Sequence, residues 1–282
     1  TKIVLFDLQR SAKGYQLQAP KIISKGKGYN NQPWFTADGE NLFFVSSIDT
    51  SNTEIYKYRL AKKKLQRITK TKEAEYSARH SPDMENISCV RVEKDKVTQH
   101  IVQYTSKGKK PSILLPRLKN VGYYEWLNQQ EVIVFELPEP FYLVRRSLYA
   151  SMADTLAKNI GRTFYYLRGK GKIIYIDKSD TSSWKIKSIS QDQLKRVRKG
   201  LAVESDIVCE TLPGEEDFCF LQDGSILMGH NGFLYLKKNP FKYKDAPWDE
   251  FADLQTFGLQ KFSRLAISPD NTKLAIVSLE GN

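Results

Sequence analysis

The chain is poor in the residues that usually announce chemistry: 282 residues carry only three cysteines, three histidines, three methionines and four tryptophans. Cys89, Cys209 and Cys219 are odd in number and sit in apolar strand-like contexts (SCV, VCE, FCF), which reads as small buried thiols, not a disulfide frame or a thiolate metal site. His80, His100 and His230 fall on a first strand, a third strand and an outer turn, too dispersed to converge on a metal, so no cofactor is expected. There is no G-x-S-x-G elbow, H-E-x-x-H pair, phosphate loop or C-x-x-C. No run of about 18 apolar residues is present to form a membrane-spanning helix. The sequence opens on Thr1 and shows no signal peptide, and the expectation is that a leader has been removed from an exported protein.

What is present is a repeat. Gln32 to Ser47 (QPWFTADGENLFFVSS) reads as a strand, a tight Asp-Gly turn and a second strand, and it returns in Ala78 to Val92, Phe218 to Gly229 and Arg264 to Ser278. The turns align on Asp38, Asp83, Asp223 and Asp270, 45 residues apart in the first pair and 47 in the last. The 140 residues between Asp83 and Asp223 hold two degenerate copies, Asn120 to Leu137 with Asn128 in place of the aspartate, and Asn159 to Asp177 turning at Gly169 to Gly171. Asp at such a turn bonds its own backbone amides, and Gly39 or Gly224 accepts positive φ. Recurrence in four units makes these turns structural.

Six all-β units of roughly 40 to 50 residues are the pattern of a six-bladed β-propeller, because a lone four-stranded blade cannot cover both its faces and stacks against neighbours. The C-terminus supplies only two strands, RLAIS and KLAIVSL. Two N-terminal segments, Ile3 to Leu8 and Pro20 to Ser24, are expected to complete that last blade. No segment reads as a linker, so residues 1–282 are expected to form a single domain. One insertion stands out, IKSISQDQLKRVRKGLAVES between the third and fourth strands of the fourth unit, and the three-residue spacing of Leu194 and Val197 predicts a short helix there.

Net charge is +12, from 44 Lys and Arg against 32 Asp and Glu. The lysines crowd the turns that follow first and third strands, including Lys62 to Lys64, Lys107 to Lys110, Lys195 to Lys199 and Lys237 to Lys244. Acidic residues gather instead in the segments leading into first strands. Those lead-in segments are AEYSARH, NVGYYEW, NIGRTF, GEEDF and QKFSRL, and each brings a polar or aromatic group to the expected channel mouth. Glu75, Tyr76, His80, Tyr123, Arg162, Glu216, Asp217 and Arg264 are the candidate partner-binding residues, aromatics giving area and arginines holding carboxylates. Glu216 and Asp217 are adjacent in a strand and point to opposite faces, a poor arrangement for paired acid/base work. The same groups can equally satisfy one another across the channel.

HSPDMENIS and ISPDNTKLAIV, with FTADGENLFF and LQDGSILMG as partial matches, resemble the Ser-Pro-Asp-Gly repeats of TolB-like propellers. The likeness covers essentially the whole length, although the third and fourth units have lost the motif. EYSARHSPD, NVGYYEWL and NIGRTF are similar to segments of exported TolB-like proteins of Bacteroidetes-type bacteria. Members of the wider family act as periplasmic scaffolds, and related propellers precede the hydrolase domain of prolyl peptidases, a domain not expected here. The resemblance implies a non-catalytic binding protein in a periplasm or at a cell surface, monomeric, with peripheral envelope association and a protein or peptide partner rather than nucleic acid. The residues leave open an alternative of another class, a propeller-type lyase, lactonase or cyclase using channel carboxylates with a divalent cation.

Overall fold

The computed structural model describes the chain except residues 12–13, 19, 27, 49–51, 198–201 and 280–282. The N-terminal strands are β1 (Lys2–Ser11), β2 (Gly14–Leu17) and β3 (Lys21–Ile22). Four-stranded sheets follow in chain order: β4 (Asn30–Phe35), β5 (Asn41–Ser46), β6 (Glu54–Arg59) and β7 (Lys64–Arg67), then β8 (Ala74–His80), β9 (Asn86–Val92), β10 (Gln99–Thr105) and β11 (Ser112–Ile113). The third and fourth are β12 (Val121–Trp126), β13 (Glu131–Glu136), β14 (Tyr142–Ser147) and β15 (Ala153–Lys158), and β16 (Ile160–Leu167), β17 (Lys172–Asp177), β18 (Lys185–Ser190) and β19 (Asp206–Glu210). The fifth is β20 (Phe218–Phe220), β21 (Ile226–His230), β22 (Phe233–Lys237) and β23 (Trp248–Asp253). Last come β24 (Phe262–Ile267) and β25 (Lys273–Ser278), which share a sheet with β1. The fold is a six-bladed β-propeller of antiparallel sheets.

The described residues group into two compact units, Thr1–Arg79 with Thr105–Lys110 and Asp217–Asn282, and His80–Tyr104 with Pro111–Glu216. In the first unit, one core gathers Val4, Phe6, Leu227, Leu234, Leu274 and Ile276, and another gathers Ile3, Leu42, Phe44, Tyr56, Ala275 and Val277. The second unit is centred on Ile133, Leu143, Ile160, Ile173, Ile189 and Leu194. The second strand of each sheet reads as an almost unbroken apolar run (NLFFVS, EVIVFE, KIIYID, KLAIVS) because both its faces are covered. Leu42, Phe43, Phe44 and Val45 are all fully buried, as are Val132, Ile133 and Val134.

The turn aspartates do what their position dictates. Asp38 Oδ1 accepts from Thr36 Oγ1 at 2.5 Å and from the Glu40 amide at 2.9 Å, and Asp83 repeats this with Ser81 and Glu85. The residue after each turn aspartate is left-handed: Gly39, Met84, Gly224 and Asn271 have φ of 70°, 63°, 85° and 56°. Asn128 substitutes as expected, accepting the Gln130 amide at 2.8 Å. Asn86 and Ser88 lie in β9, with Ser88 buried and its hydroxyl accepting from Tyr124 and Trp126. All three cysteines are buried and none is in a disulfide.

The two chain ends share a sheet, but the N-terminal contribution differs from the expected pair of segments. β1 is longer, ten residues, and pairs Val4 with Ile276 and Phe6 with Leu274. Its outer edge is divided, β3 lying opposite Val4 and Leu5 while β2, absent from the sequence reading, lies opposite Leu8 to Ser11. GYQL carries too little apolar character to signal a strand, and its pairing is a consequence of the hairpin it forms with β1. The inserted helix is found as α1 (Gln191–Val197), with Leu194 buried against β18, whereas Arg198 and Lys199 of the same basic run lie outside the described residues.

Candidate functional site

The lead-in segments share one local device. Gln32, Ser77 and Arg264 each stand six residues before a turn aspartate, and each is left-handed, with φ of 56°, 53° and 53°. Pairing slips at this position in β4 and β24, and again near the start of β12 and β16. A bulge of this kind turns a backbone N–H out of the ladder, and a buried N–H needs another acceptor. Side chains of other sheets supply it. Gln32 Oε1 accepts from the Ser77 amide at 2.7 Å, and Asp217 Oδ2 accepts from the Arg264 amide at 3.0 Å. Asp217 also stands six residues before its turn aspartate, Asp223. In both cases a side chain at this repeat position binds the amide of the same position one unit later.

In the second unit, Glu216 performs the task toward the preceding sheet. Its Oε2 accepts the Arg162 amide at 3.0 Å, while its Oε1 lies 3.2 Å from the Arg162 guanidinium. Lys178 Nζ is 3.7 Å from the same carboxylate and 3.9 Å from the centroid of the Trp184 ring, a close cation–π contact. Gly161 makes room: a Cβ there would sit 2.9 Å from Glu216 Oε2 and 3.0 Å from Ile176 Cβ. Arg162, 34% exposed, and Lys178, 29% exposed, therefore present two cations around one carboxylate that is already bound to backbone. Tyr123 in the same unit is half-buried, its ring edge-on to Phe135 at 5.5 Å.

In the first unit, Asp217 is nearly buried and its second oxygen is 3.8 Å from the Arg264 guanidinium. Glu75 is fully buried, not presented to a partner, and accepts from Thr71 Oγ1 at 2.6 Å. Tyr76 is half-buried, edge-on to Tyr29 at 6.3 Å. His80, at the end of β8, belongs to the second unit and is half-buried. The candidates thus resolve into an Arg162–Glu216 pair and an Arg264–Asp217 pair, each consisting of a backbone latch with a guanidinium beside it. Gln32, Lys178 and Trp184 were not among the residues singled out from sequence. Gln32 carried a signal, its six-residue offset from Asp38; Lys178 and Trp184 carried none, because the turn between β17 and β18 has no counterpart of like sequence.

Among the described residues no group of three His, Cys, Asp or Glu side chains is placed to hold a metal ion. The arrangement is that of a propeller whose lead-in segments carry polar side chains tied from sheet to sheet. Solved structures similar to it include a protein assigned as TolB from Agrobacterium tumefaciens, with a TM-score of 0.71 at 12% identity over 99% of this chain and 98% of that one. TolB from Acinetobacter baumannii aligns with a TM-score of 0.63 at 13% identity over the whole of this chain and 65% of its own length. A gluconolactonase from Xanthomonas campestris gives 0.65 at 8% identity over 93% and 90%. At these identities the likeness is one of fold. No protein-family model matches the chain. No curated protein matches it in sequence.

Proposed function

We propose that the chain is a non-catalytic binding propeller that takes a protein or peptide segment at its lead-in segments, with Arg162 and Arg264 holding carboxylates of the partner. One observation carries this reading: Glu216 and Asp217, the carboxylates an enzyme would need, are each bound to a backbone amide at 3.0 Å, so they serve the scaffold. What remains for recognition is cationic and aromatic, the Arg162 guanidinium, Lys178 and Trp184 in one unit and the Arg264 guanidinium with Tyr76 in the other. Such groups suit acidic side chains or a chain terminus. The same reading makes the protein one domain over residues 1–282, monomeric and exported to a periplasm or cell surface. Among the described residues no helix is long and apolar enough to cross a membrane.

The test replaces Arg162 and Arg264 with Ala in a protein carrying a photo-crosslinking side chain at position 123. Capture of cell-envelope proteins by the parent and its loss in both variants, at unchanged melting temperature, is the expected result. Capture that survives both substitutions moves the site elsewhere. A stoichiometric divalent ion in the purified protein that disappears in E216Q points instead to the lyase, lactonase or cyclase class.

A further inference from the structure

A cleft of the second unit is lined by none of the latch residues Arg162, Glu216 and Lys178. It has a volume of about 490 Å³ and is formed by the chain just after β11, Leu114 to Leu118, and by the end of β14 with the turn into β15, Arg146 to Met152. Its walls are mainly apolar, from Leu114, Leu115, Leu118, Leu148 and Met152, and Tyr149 stands at its rim with 79% of its surface exposed. The only charged groups lining it are two arginines. Arg146 is neutralised by Glu136, with its Nε 2.6 Å from Oε1 and its Nη2 3.1 Å from Oε2. Arg117 is exposed, sits in a turn and has no ion-pair partner among the described residues. The cleft therefore combines apolar walls with one uncompensated positive charge at its edge.

We propose that this cleft binds the C-terminal end of a peptide chain, apolar side chains seated among the leucines and Met152 and the terminal carboxylate on Arg117. Charge complementarity selects an anionic head, and the apolar walls select a hydrophobic body. A peptide fits better than a lipid tail because β11 is the outer strand of its sheet and, among the described residues, its far edge has no strand partner. An extended peptide can hydrogen-bond to such an edge while alternate side chains enter the pockets beside it. A volume of this size is that of an ordinary ligand site. The site is separate from the one proposed above and stands whether or not that reading does.

The probe is a library of random heptapeptides presented with free C-termini, selected on the intact protein and followed by fluorescence polarisation of the enriched sequences. Sequences ending in Leu, Ile, Val or Phe are expected to emerge. Their affinity is expected to fall about fivefold or more in R117A, and by the same factor when the peptide is amidated, with no further loss when both changes are combined. M152E is expected to abolish binding, and Y149A, at a position that supports nothing in the fold, to weaken it. R162A is expected to leave it unchanged, which separates failure here from failure at the lead-in segments. The proposal is overturned if no apolar C-terminal sequence emerges, if acid and amide bind equally, if binding survives M152E at unchanged melting temperature, or if octanoate competes as well as the peptide.

Discussion

Gln32 and Ser77 stand one repeat apart, 45 residues, and the side-chain oxygen of the first accepts the backbone N–H of the second at 2.7 Å. Asp217 and Arg264 make the same bond one repeat apart at the other end of the first unit. A neutral amide thus does at one place what a carboxylate does at the other. D217N is accordingly expected to retain most of the stability of the parent, since Asn keeps an acceptor for the Arg264 amide. D217A leaves that amide unsatisfied and is expected to lose about 1–3 kcal/mol. Urea denaturation with an unchanged m-value distinguishes the two; equal losses would show that the charge, not the acceptor, is what the site needs.

Gly161 and Glu216 are matched by shape. In G161A the new methyl meets Glu216 Oε2 at 2.9 Å and Ile176 Cβ at 3.0 Å, forcing the carboxylate off the Arg162 amide. A destabilisation of about 1–3 kcal/mol is expected from the overpacking. The double variant G161A/E216A is expected to cost less than the sum of the single changes, because the pair is in contact. Additive losses would dissociate the two.

Backbone conformation gives a graded series. Gly108 has φ of 69°, and a Cβ there would clash with the Ile68 carbonyl oxygen, so G108A is expected to be the most damaging, at about 3 kcal/mol or more. Gly39 has φ of 70° but only Pro269 nearby, at 3.8 Å, and G39A is expected to cost about 1 kcal/mol through conformation alone. Met84 occupies the equivalent turn position with φ of 63°, and M84G is expected to raise stability by a few tenths to about 1 kcal/mol. Thermal denaturation orders the three.

Acid sensitivity has a local source in the hairpin between β9 and β10. The Thr98 hydroxyl, donating to Asp95 Oδ2 at 2.6 Å, and the amides of Val97 and Thr98 hold the Asp95 carboxyl down at about 2. A pKa depressed in the folded state adds stability that is complete above the unfolded value of 3.8 and is lost as pH falls toward 2. D95N is expected to show a shallower fall in unfolding stability across that window, read from denaturant midpoints at stepped pH. An identical slope would rule Asp95 out.

Burial pushes the Cys219 thiol up to about 12, and Cys89 and Cys209 are buried within β9 and β19. None of the three is expected to react with a thiol reagent at pH 8 in the native state, and all three are expected to react together on unfolding. Labelling of one residue in the native protein would identify a locally open strand.

The six sheets were legible because their signals are local: Asp-Gly turns, apolar second strands and a period near 45 residues. Even the degenerate turn at Asn128 and the helix at Leu194 followed from neighbouring residues. β2 was not legible, since Gly14 to Leu17 lacks apolar alternation and is a strand only because β1 offers an edge. The roles of the candidate site residues were mixed. The sequence reading put Glu216 and Asp217 inside a strand, whereas β20 begins only at Phe218 and both precede it; the bond between Glu216 and the Arg162 amide joins residues 54 positions apart, and no pattern within either segment encodes it. Glu75 was misjudged for a related reason, because its burial is set by Thr71 and by the backbone contact of its amide with Thr53.

The pairing of Phe6 with Leu274 also sets a timetable for synthesis. At about 5–20 residues per second on the ribosome, β1 is exposed for on the order of 10–60 s before its partner is made. Through that interval its buried side chains Ile3, Val4, Phe6 and Leu8 have no β25 to cover them. The emerging chain therefore has need of a chaperone at its beginning, and a stalled or truncated product ending before Lys273 presents an apolar strand edge to the cell's quality control.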